Sequence, residues 1–278
     1  MKKRGQEEKM EEKRMKDEKK YAVITINIGK RFADMGELTM PLMKNYAEAI
    51  GADFVVIDQL KQKHQSQYSA YWAKFQLYDF FDHYERILFL DLDVLVYPHC
   101  PNLFTIVPED KFGALLETDY GVVQTEEILE IQGRVKDIGW RKDYFNVGVM
   151  MAAKSHQEVF NLELGSDGGQ KYPEQTQINY NVQRFNISIF KLDFRFNHTY
   201  FFGENRDSRG FSYIVHYAGI THEIRVPLIR EDIKRYYEGK SPLQESEFGL
   251  FFKTNFPGKD SDEMLNSYHL LKDPEIGM

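Results

Sequence analysis

The chain has 278 residues and a mass of 32.8 kDa, which is enough to bury a full hydrophobic core, and it is predicted to form one main domain. Its hydrophobic content of 42% fits a globular protein, and its net charge of -7 argues against a nucleic-acid-binding protein, which would carry a basic surface. It has no apolar run long enough to span a bilayer, no signal-peptide core and a single cysteine, Cys100, so we expect a cytoplasmic protein without an internal disulfide.

The first half of the chain is predicted to alternate strands and helices after a charged arm. Residues 1–20 mix basic and acidic side chains with almost no apolar face, which indicates a helical or flexible arm in solvent. The predicted elements that follow are a strand at 21–26, a helix at 32–50 with a break or kink at Pro41, a strand at 54–57, a helix at 68–83, and strands at 86–90 and 112–116. This alternation is typical of βαβ units and a mainly parallel sheet.

The regular alternation of strands and helices does not continue in the second half of the chain. The predicted elements are a strand at 144–151, a loop at 165–169, a helix at 173–183 that begins with proline, and a strand at 212–217. Residues 241–278 are polar and mixed, and they are predicted to form a C-terminal tail that packs on the domain or is partly disordered. The expected fold class is α/β, with a single domain over residues 21–240 in which helices flank a mixed, mainly parallel central sheet.

Two carboxylates in the segment FLDLDVLVYP are the most informative motif. Asp91 and Asp93 follow the apolar run at 86–90, and alternate side chains of an extended segment share a face, so the two point the same way. Two carboxylates at the end of a buried strand are hard anionic ligands suited to a divalent cation, and such a cation can hold a diphosphate. The alternative interpretation is a strand end that carries incidental acidic residues.

Three other motifs are interpreted as incidental. Asp260 and Asp262 repeat the Asp-x-Asp pattern, but their flanks are polar and no strand precedes them, so a solvated turn is expected. Asn186 and Asn197 begin glycosylation sequons, which are predicted to be chance matches because no export signal is present.

The order of several sequence blocks resembles the GT-A class of nucleotide-sugar glycosyltransferases, and most closely glycosyltransferase family 8, which includes glycogenin and bacterial lipopolysaccharide galactosyltransferases. The blocks are YAVITINIG, WAKFQLYDFF with YERILFLDLDVLVYP, YFNVGVMM, EQTQIN and IVHYAG. They look like the opening strand, the lysine-containing helix with the Asp-x-Asp strand, the F-N-S-G-V block, the D-Q-x-x-L-N block and the start of the H-x-x-G-x-K-P-W segment. The resemblance runs from Tyr21 to about Gly219 and implies the GT-A fold.

The resemblance implies a metal site formed by Asp91, Asp93 and His216. Two carboxylates, one imidazole and diphosphate oxygens would give a mixed oxygen and nitrogen shell, which favours Mn²⁺ over Ca²⁺, with Mg²⁺ as the alternative cofactor. Considered alone, His216 has another interpretation, a hydrogen-bonded core histidine at a strand end.

The resemblance also implies catalytic and donor-binding residues on several elements. The catalytic set is Asp91, Asp93, Glu174 and Gln175, of which the last two occupy the family's Asp-Gln position beside the transferred sugar. The donor-binding set is Thr25, Asn27, Lys74, Glu117, Asp119, Asn146, Gly148, Gly219 and His222. Structural alternatives exist for several of these: Lys74 extends to solvent, Asn146 and Gly148 form a turn before a core strand, Glu117 and Asp119 end a strand, and Glu174 favours a helix N-terminus.

One part of the family pattern is missing after His216. The lysine that grips the diphosphate, with its proline and tryptophan, has no counterpart in the segment GITHEIR. His222 lies at or beside the lysine position, and Arg225 follows it, whereas Arg206 and Arg209 lie in an earlier loop. We expect one of these four residues to supply the missing cation.

The expected function is metal-dependent transfer of a sugar from a nucleoside-diphosphate donor, expected to be a UDP-hexose, to an acceptor hydroxyl of a carbohydrate, glycoconjugate or protein. The resemblance implies retention of anomeric configuration; an inverting enzyme would need a carboxylate base, for which Glu174 or Asp119 is the candidate. The first alternative function is an inactive carbohydrate-binding or scaffold protein with the same fold. The second is a sugar-phosphate nucleotidyltransferase, which residues 27–31 disfavour because they match a glycine-rich phosphate loop poorly.

Overall fold

The computed structural model describes residues 20–61, 70–162, 171–199, 209–259 and 264. Four expectations lie outside the described residues: the charged arm up to residue 19, the loop at 165–169, Arg206, and the second Asp-x-Asp motif at Asp260 and Asp262.

Eight strands and seven α-helices make up the regular structure of the described residues, together with short 3₁₀ turns. The strands are β1 (Tyr21–Ile26), β2 (Asp53–Ile57), β3 (Arg86–Leu90), β4 (Val94–Val96), β5 (Phe112–Leu116), β6 (Phe145–Ala153), β7 (Ile189–Lys191) and β8 (Ile214–His216). The α-helices are α1 (Ala33–Ala49), α2 (Leu77–Phe80), α3 (Leu103–Ile106), α4 (Thr125–Arg134), α5 (Pro173–Arg184), α6 (His222–Tyr237) and α7 (Phe248–Asn255).

Six strands form a mixed central sheet in the order β2-β1-β3-β6-β5-β7. The pairings of β1 with β2, of β1 with β3 and of β5 with β7 are parallel, whereas β6 runs antiparallel to both β3 and β5. The two remaining strands, β4 and β8, form an antiparallel ribbon beyond the end of β3. The predicted α/β fold, a mixed and mostly parallel sheet flanked by helices, is confirmed.

Helices cover both faces of the sheet because the central strands are apolar on both sides. In β1, Ala22 and Ile24 belong to one core cluster and Val23 belongs to another, as the alternation of a strand requires. The first cluster packs against the 3₁₀ turn Ala70–Gln76, α2 and α5, and the second packs against α1 and α3. A third cluster lies between α1, the β4-β8 ribbon, α6 and α7.

Two predicted helices differ in detail from the observed ones. Helix α1 continues through Pro41, where the prediction expected a break or kink; Pro41 and Glu37 are both exposed, so water can reach the carbonyl that proline leaves unpaired. The helix expected at 68–83 is a 3₁₀ turn, Ala70–Gln76, followed by the short α2. Residues 72–77 are all buried, so this segment has no exposed face and does not form the amphipathic helix that was predicted.

The described part of the C-terminal segment contributes to the third core cluster. Leu243, Phe248, Phe251 and Phe252 are buried there beside residues of the β4-β8 ribbon. Across the described residues, no helix combines the length and apolar composition needed to cross a membrane.

Candidate active site

The Asp-x-Asp motif forms the tight connection between β3 and β4. The N–H of Asp91 donates to the carbonyl of Gly148 in the neighbouring β6 at 2.7 Å, so the turn begins while the chain is still paired in the sheet. The hydroxyl of Thr39 in α1 donates to the carbonyl of Leu92 at 2.7 Å, and the Leu92 side chain is buried in the third core cluster. With Leu92 anchored inward, Asp91 and Asp93 point to the opposite side of the turn.

His216 meets the two aspartates because the ribbon brings it there. In the β4-β8 pairing, His216 lies opposite Val94, the residue directly after Asp93. Nε2 of His216 is 3.3 Å from Oδ1 of Asp93 and 3.9 Å from Oδ2 of Asp91. Ligand atoms of the three residues all lie within 4.8 Å of one another. The cluster therefore has the donor set and the spacing of a divalent-cation site.

The electrostatic environment keeps Asp93 ionised. Burial alone would raise the pKa of Asp93, but the His216 ring in its protonated form and the cationic groups of Arg225 and Lys74 outweigh this effect and hold the pKa well below its usual range. An ionised carboxylate is the form that binds a metal ion. The residues present therefore fit a divalent cation.

A glycine in β6 makes room for the histidine ring. A β-carbon on Gly148 would lie 2.1 Å from Cε1 of His216 and 2.7 Å from Nδ1, which are both far inside contact distance. Only glycine at this position lets the imidazole lie against the strand and reach the aspartates. Gly148 was predicted to be a donor-binding residue; what the structure shows is its contact with His216.

Lys74 is buried between two carboxylates. Its ammonium lies 3.1 Å from Oδ1 of Asp91 and 3.7 Å from Oε1 of Glu174, and it stands over the ring of Phe89. Burial alone would lower the pKa of Lys74, but the carboxylates of Asp91 and Glu174 more than compensate and raise it. The lysine does not extend to solvent, the alternative that the sequence left open, and it links the Asp-x-Asp turn to the start of α5.

A buried carboxylate organises the next group of predicted residues. Oε1 of Glu117 accepts from Nδ2 of Asn146 at 3.0 Å and from Nε2 of Gln175 at 3.4 Å. Oε1 of Gln175 in turn accepts the N–H of Val147 at 3.3 Å. Burial raises the pKa of Glu117, and the hydrogen bonds it accepts act in the opposite direction. These hydrogen bonds therefore hold the side chains of Glu117, Asn146 and Gln175 in fixed positions.

The end of β1 carries two polar atoms that lack a partner among the described residues. Oγ1 of Thr25 and Oδ1 of Asn27 are buried without a hydrogen bond. Nδ2 of Asn27 is 3.9 Å from the sulfur of Met40 in α1. Unpaired buried oxygens are uncommon in proteins, and a ligand group is one of the explanations for them.

The three remaining predicted donor-binding residues are Asp119, Gly219 and His222. Asp119 forms an exposed ion pair with Lys191 at 3.0 Å. Gly219 takes a left-handed conformation (φ 72°) in the turn between β8 and α6. His222 begins α6, and its Nε2 lies 3.3 Å from Oδ2 of Asp34.

The candidates for the missing cation have different surroundings. NH1 of Arg225 lies 3.1 Å from Oδ2 of Asp93, and its NH2 donates to the carbonyl of Ile220 at 2.6 Å. Arg209 is instead buried against Asp232, with 2.7 Å between the charged groups, and also donates to the carbonyl of Leu243. Arg225 is thus the described candidate in contact with the Asp-x-Asp motif.

Sequence reasoning missed the role of one asparagine next to this site. Oδ1 of Asn197 lies 2.8 Å from Nδ1 of His216, and Nδ2 of Asn197 donates to Oδ1 of Asn146 at 2.9 Å. Asn197 was noticed only as a chance sequon, and its side chain is fully buried. The sequence gives no local signal for these contacts, because the partners lie 19 and 51 residues away along the chain.

Comparisons with known proteins found a family by sequence and related folds among solved structures. The model of Glycosyl transferase family 8 matches residues 6–222. Two solved structures share the fold: a glycosyltransferase involved in the glycosylation of the major capsid of PBCV-1 (15% identity over 76% of this chain and 98% of that chain, TM-score 0.54) and the bifunctional glycosyltransferase WbbM (12% identity over 79% of this chain and 51% of that chain, TM-score 0.52). The galactosyltransferase LgtC has 13% identity over 82% of this chain and 99% of that chain, with a TM-score of 0.47. No curated protein matches the chain in sequence.

The family match covers most of the chain and includes the Asp-x-Asp turn, the residues after β6 and the histidine of the ribbon. The resemblance inferred from the sequence blocks is confirmed, as is the prediction that the chain is a glycosyltransferase. The chain belongs to glycosyl transferase family 8 and is a nucleotide-sugar glycosyltransferase.

Proposed function

We propose that the chain transfers a hexose from a UDP-sugar to an acceptor hydroxyl, using Mn²⁺ and retaining the anomeric configuration. The observation that carries this proposal is the convergence of Asp91, Asp93 and His216, whose ligand atoms lie within 4.8 Å of one another. Mn²⁺ is preferred because the set combines imidazole with carboxylates, and Mg²⁺ is the second candidate because carboxylates suit it as well.

The three residues would hold the metal beside the donor diphosphate. When bound, a divalent cation there supplies Lewis-acid stabilisation of the negative charge on the departing nucleotide. Lys74 holds Asp91 in place through their ion pair and adds a fixed positive charge next to this metal ligand. Its second carboxylate partner, Glu174, stands at the start of α5, where the sugar to be transferred is expected.

We assign the donor sugar to the region next to the buried residues Asn146, Gly148 and Gln175. The two amides are oriented by Glu117 and by backbone N–H groups, so their positions are set before a ligand arrives. Gly148 contributes indirectly, because its missing side chain leaves the space that the His216 ring fills beside this region. Thr25 and Asn27, whose oxygens are buried without partners, are assigned to the nucleoside at the end of β1.

Arg225 is our candidate for the cation that replaces the family's diphosphate-gripping lysine. Its guanidinium contacts Asp93 from the first turn of α6, within reach of a group bound at the metal site. An arginine can grip two phosphate oxygens at once. We expect Arg225→Ala to weaken UDP binding about 10-fold or more, because one charge-assisted contact to phosphate is lost, while Mn²⁺ binding is preserved or strengthened.

Calorimetric titration of UDP and of Mn²⁺ tests this assignment. Arg230→Ala is the matched control, because Arg230 lies exposed on the same helix. Unchanged UDP affinity in Arg225→Ala would contradict the role assigned to Arg225 and leave the metal site untouched.

Retention is supported by the state of the two carboxylates that could act as the base in an inverting enzyme. Glu174 is paired with Lys74, and Asp119 with Lys191, so each of the two candidate bases is already engaged by an ammonium group. NMR of the product anomer tests the stereochemistry directly. An inverted linkage would contradict retention without affecting the metal or donor assignments.

The experiment that tests the proposed function is release of the nucleotide from a panel of UDP- and GDP-sugars. Wild type and Asp93→Asn are compared with Mn²⁺, with Mg²⁺ and after chelation. We expect release from a UDP-hexose that requires both the metal and Asp93. Metal-independent release would contradict the metal requirement, and UDP binding without release from any donor, in the presence of acceptor sugars, would favour an inactive binding protein.

A further inference from the structure

A chain of hydrogen-bonded side chains connects the buried Glu117 to His216 through two asparagines. We propose that Asn197 is a positioning residue that holds His216 as the Nδ1–H tautomer, so that Nε2 is the nitrogen presented to the metal. The inference rests on the proposed function in one respect, that the cluster of Asp91, Asp93 and His216 binds a divalent cation.

A backbone N–H group determines which atoms donate and which accept in this series of hydrogen bonds. The N–H of Gly148 donates to Oδ1 of Asn146 at 2.9 Å, and a backbone N–H can only donate. The atom facing it must therefore be the oxygen of Asn146, which leaves Nδ2 to face Glu117 at 3.0 Å. A carboxylate accepts such a bond, so both ends of the Asn146 amide are consistent with this orientation.

The same reasoning passes from Asn146 to Asn197. Oδ1 of Asn146 has a second lone pair, which accepts Nδ2 of Asn197 at 2.9 Å. With its nitrogen used, Asn197 presents Oδ1 to Nδ1 of His216 at 2.8 Å. An amide oxygen can only accept, so Nδ1 of His216 must carry the proton.

A neutral imidazole protonated at Nδ1 has a bare nitrogen at Nε2. That nitrogen lies 3.3 Å from Oδ1 of Asp93 and 3.9 Å from Oδ2 of Asp91, so its lone pair faces two carboxylate oxygens. Acceptors that face one another repel unless a cation lies between them. The tautomer set by Asn197 is therefore the one that suits a metal ion, in the way that partners of metal-bound histidines generally fix the ring.

Burial leaves no simple substitute for Asn197. Asn197 is fully buried, and Asn146 and His216 are nearly so, so water does not readily replace a lost amide contact. Asn197 is held against β8 because the following residue, His198, forms a bridge with Val215 and accepts the N–H of His216 through its carbonyl. The sequon that begins at Asn197 thus serves a structural contact, and its asparagine is inaccessible to modification in the folded protein.

The first test reads the tautomer without any metal. In protein labelled with ¹⁵N-histidine, long-range ¹H–¹⁵N spectra at about pH 8.5, where a free imidazole is neutral, distinguish the two ring nitrogens. The signal of His216 is assigned by its loss in His216→Gln. We expect a protonated Nδ1 and a bare Nε2. A bare Nδ1 overturns the inference, whatever the state of Nε2.

The second test measures Mn²⁺ affinity by calorimetry or by electron paramagnetic resonance. We expect Asn197→Leu, which removes the acceptor but keeps the volume, to weaken Mn²⁺ binding about 10–100-fold. Asn197→Asp keeps an acceptor for Nδ1 but loses the donor to Asn146, so it should recover only part of the affinity. The control is Asn181→Leu, which removes another fully buried amide that is bonded to Val159 and Gln177 away from the site.

The outcomes separate the inference from the proposed function. Wild-type Mn²⁺ affinity in Asn197→Leu, or an equal loss in Asn181→Leu, overturns the role of Asn197 while the metal site stands. If wild type binds no divalent cation with or without UDP, the proposed metal function fails, and the role of Asn197 in metal binding fails with it. The metal-free NMR spectrum then still tests the tautomer.

Discussion

Gly148 and His216 lie so close together that a β-carbon on Gly148 would stand 2.1 Å from Cε1 of the imidazole. The carbonyl of Gly148 also accepts the N–H of Asp91 at 2.7 Å. Gly148 therefore affects two residues of the metal-site cluster. Its lack of a side chain leaves space for the His216 ring, and its carbonyl binds the backbone of Asp91.

Replacement of Gly148 by alanine should displace the histidine ring and weaken metal binding. The new methyl group cannot coexist with the present imidazole position, and β6 is fully buried, so the ring must move. We expect Mn²⁺ affinity and donor turnover to fall by at least about 10-fold, because the ligand would no longer face the aspartates. Calorimetric titration with Mn²⁺ measures the effect.

Gly133→Ala is the matched control for this substitution. Gly133 lies within α4, and a β-carbon there would meet nothing within 4 Å. We expect unchanged metal binding and a gain in stability of about 0.5–1 kcal/mol from the better helix propensity of alanine. Equal metal affinity in Gly148→Ala and wild type would contradict the close packing of the ring.

Removal of Lys74 should make the stability of the protein depend more strongly on metal. Lys74→Met leaves Asp91 and Glu174 without their shared counter-charge. We expect the free energy of unfolding to fall by about 1–3 kcal/mol in chelator, with Asp91 only partly buried. A bound divalent cation would relieve the carboxylates, so the thermal shift caused by Mn²⁺ should be larger than in wild type.

Lys61→Met tests whether this effect belongs to the site. Lys61 also pairs with an aspartate, Asp79, but the lysine is half exposed. We expect a stability change of less than about 1 kcal/mol and an unaltered response to Mn²⁺. Thermal shifts of Lys74→Met and Lys61→Met that coincide would argue against a special role for Lys74.

The main strands could be predicted because burial leaves a strong local pattern. All five residues of β3 are buried, and the apolar run at 86–90 marks the strand to the residue. The segment that follows Phe248 was harder, because Phe248, Phe251 and Phe252 have helical spacing within a polar stretch that was predicted as a tail. Their partners come from the β4-β8 ribbon, which no local pattern connects with them.

The site was predictable where chemistry and motif coincide, as at Asp91 and Asp93. Contacts between amides were not predictable, because an asparagine gives the same sequence signal whether it caps a turn or bonds a distant side chain. Arg225 was one of four cations considered, and only the packing of α6 against the ribbon distinguishes its contact with Asp93.

Separation of Arg209 from Asp232 should destabilise the fold strongly. The pair is almost fully buried, and Asp232 also accepts from the hydroxyl of Tyr217 and the N–H of Leu243, so it joins β8, α6 and the C-terminal segment. We expect Asp232→Leu to lower the free energy of unfolding by about 3–5 kcal/mol, because the guanidinium stays buried without its partner charge. Urea denaturation measures this change.

The double variant Arg209→Met with Asp232→Leu should regain part of that loss, since no uncompensated charge is left. Lys44→Met is the exposed control; its pair with Glu48 lies on the surface of α1, and we expect a cost of about 0.5 kcal/mol or less. A double variant that is less stable than Asp232→Leu would contradict the explanation by unpaired charge.

Acid should weaken the fold through His156. Burial lowers the pKa of His156 from 6.5, with Arg86 acting in the same direction and Asp110 opposing it, and Nδ1 accepts the N–H of Ala153 at 3.2 Å. The unfolded chain therefore takes up a proton at a higher pH than the folded protein. The stability from this group is present above pH 6.5 and is lost as the pH falls below it.

Urea midpoints at about pH 7.5 and 5.5 measure this dependence in wild type, in His156→Asn and in His83→Asn. The δ-oxygen of asparagine can accept the Ala153 N–H in place of Nδ1 and does not titrate, so His156→Asn should lose less stability on acidification than wild type. His83 is exposed, and His83→Asn should keep the wild-type dependence. If His156→Asn and His83→Asn lose equal stability between the two pH values, the acid sensitivity comes from other groups, because the buried imidazole is the difference between them.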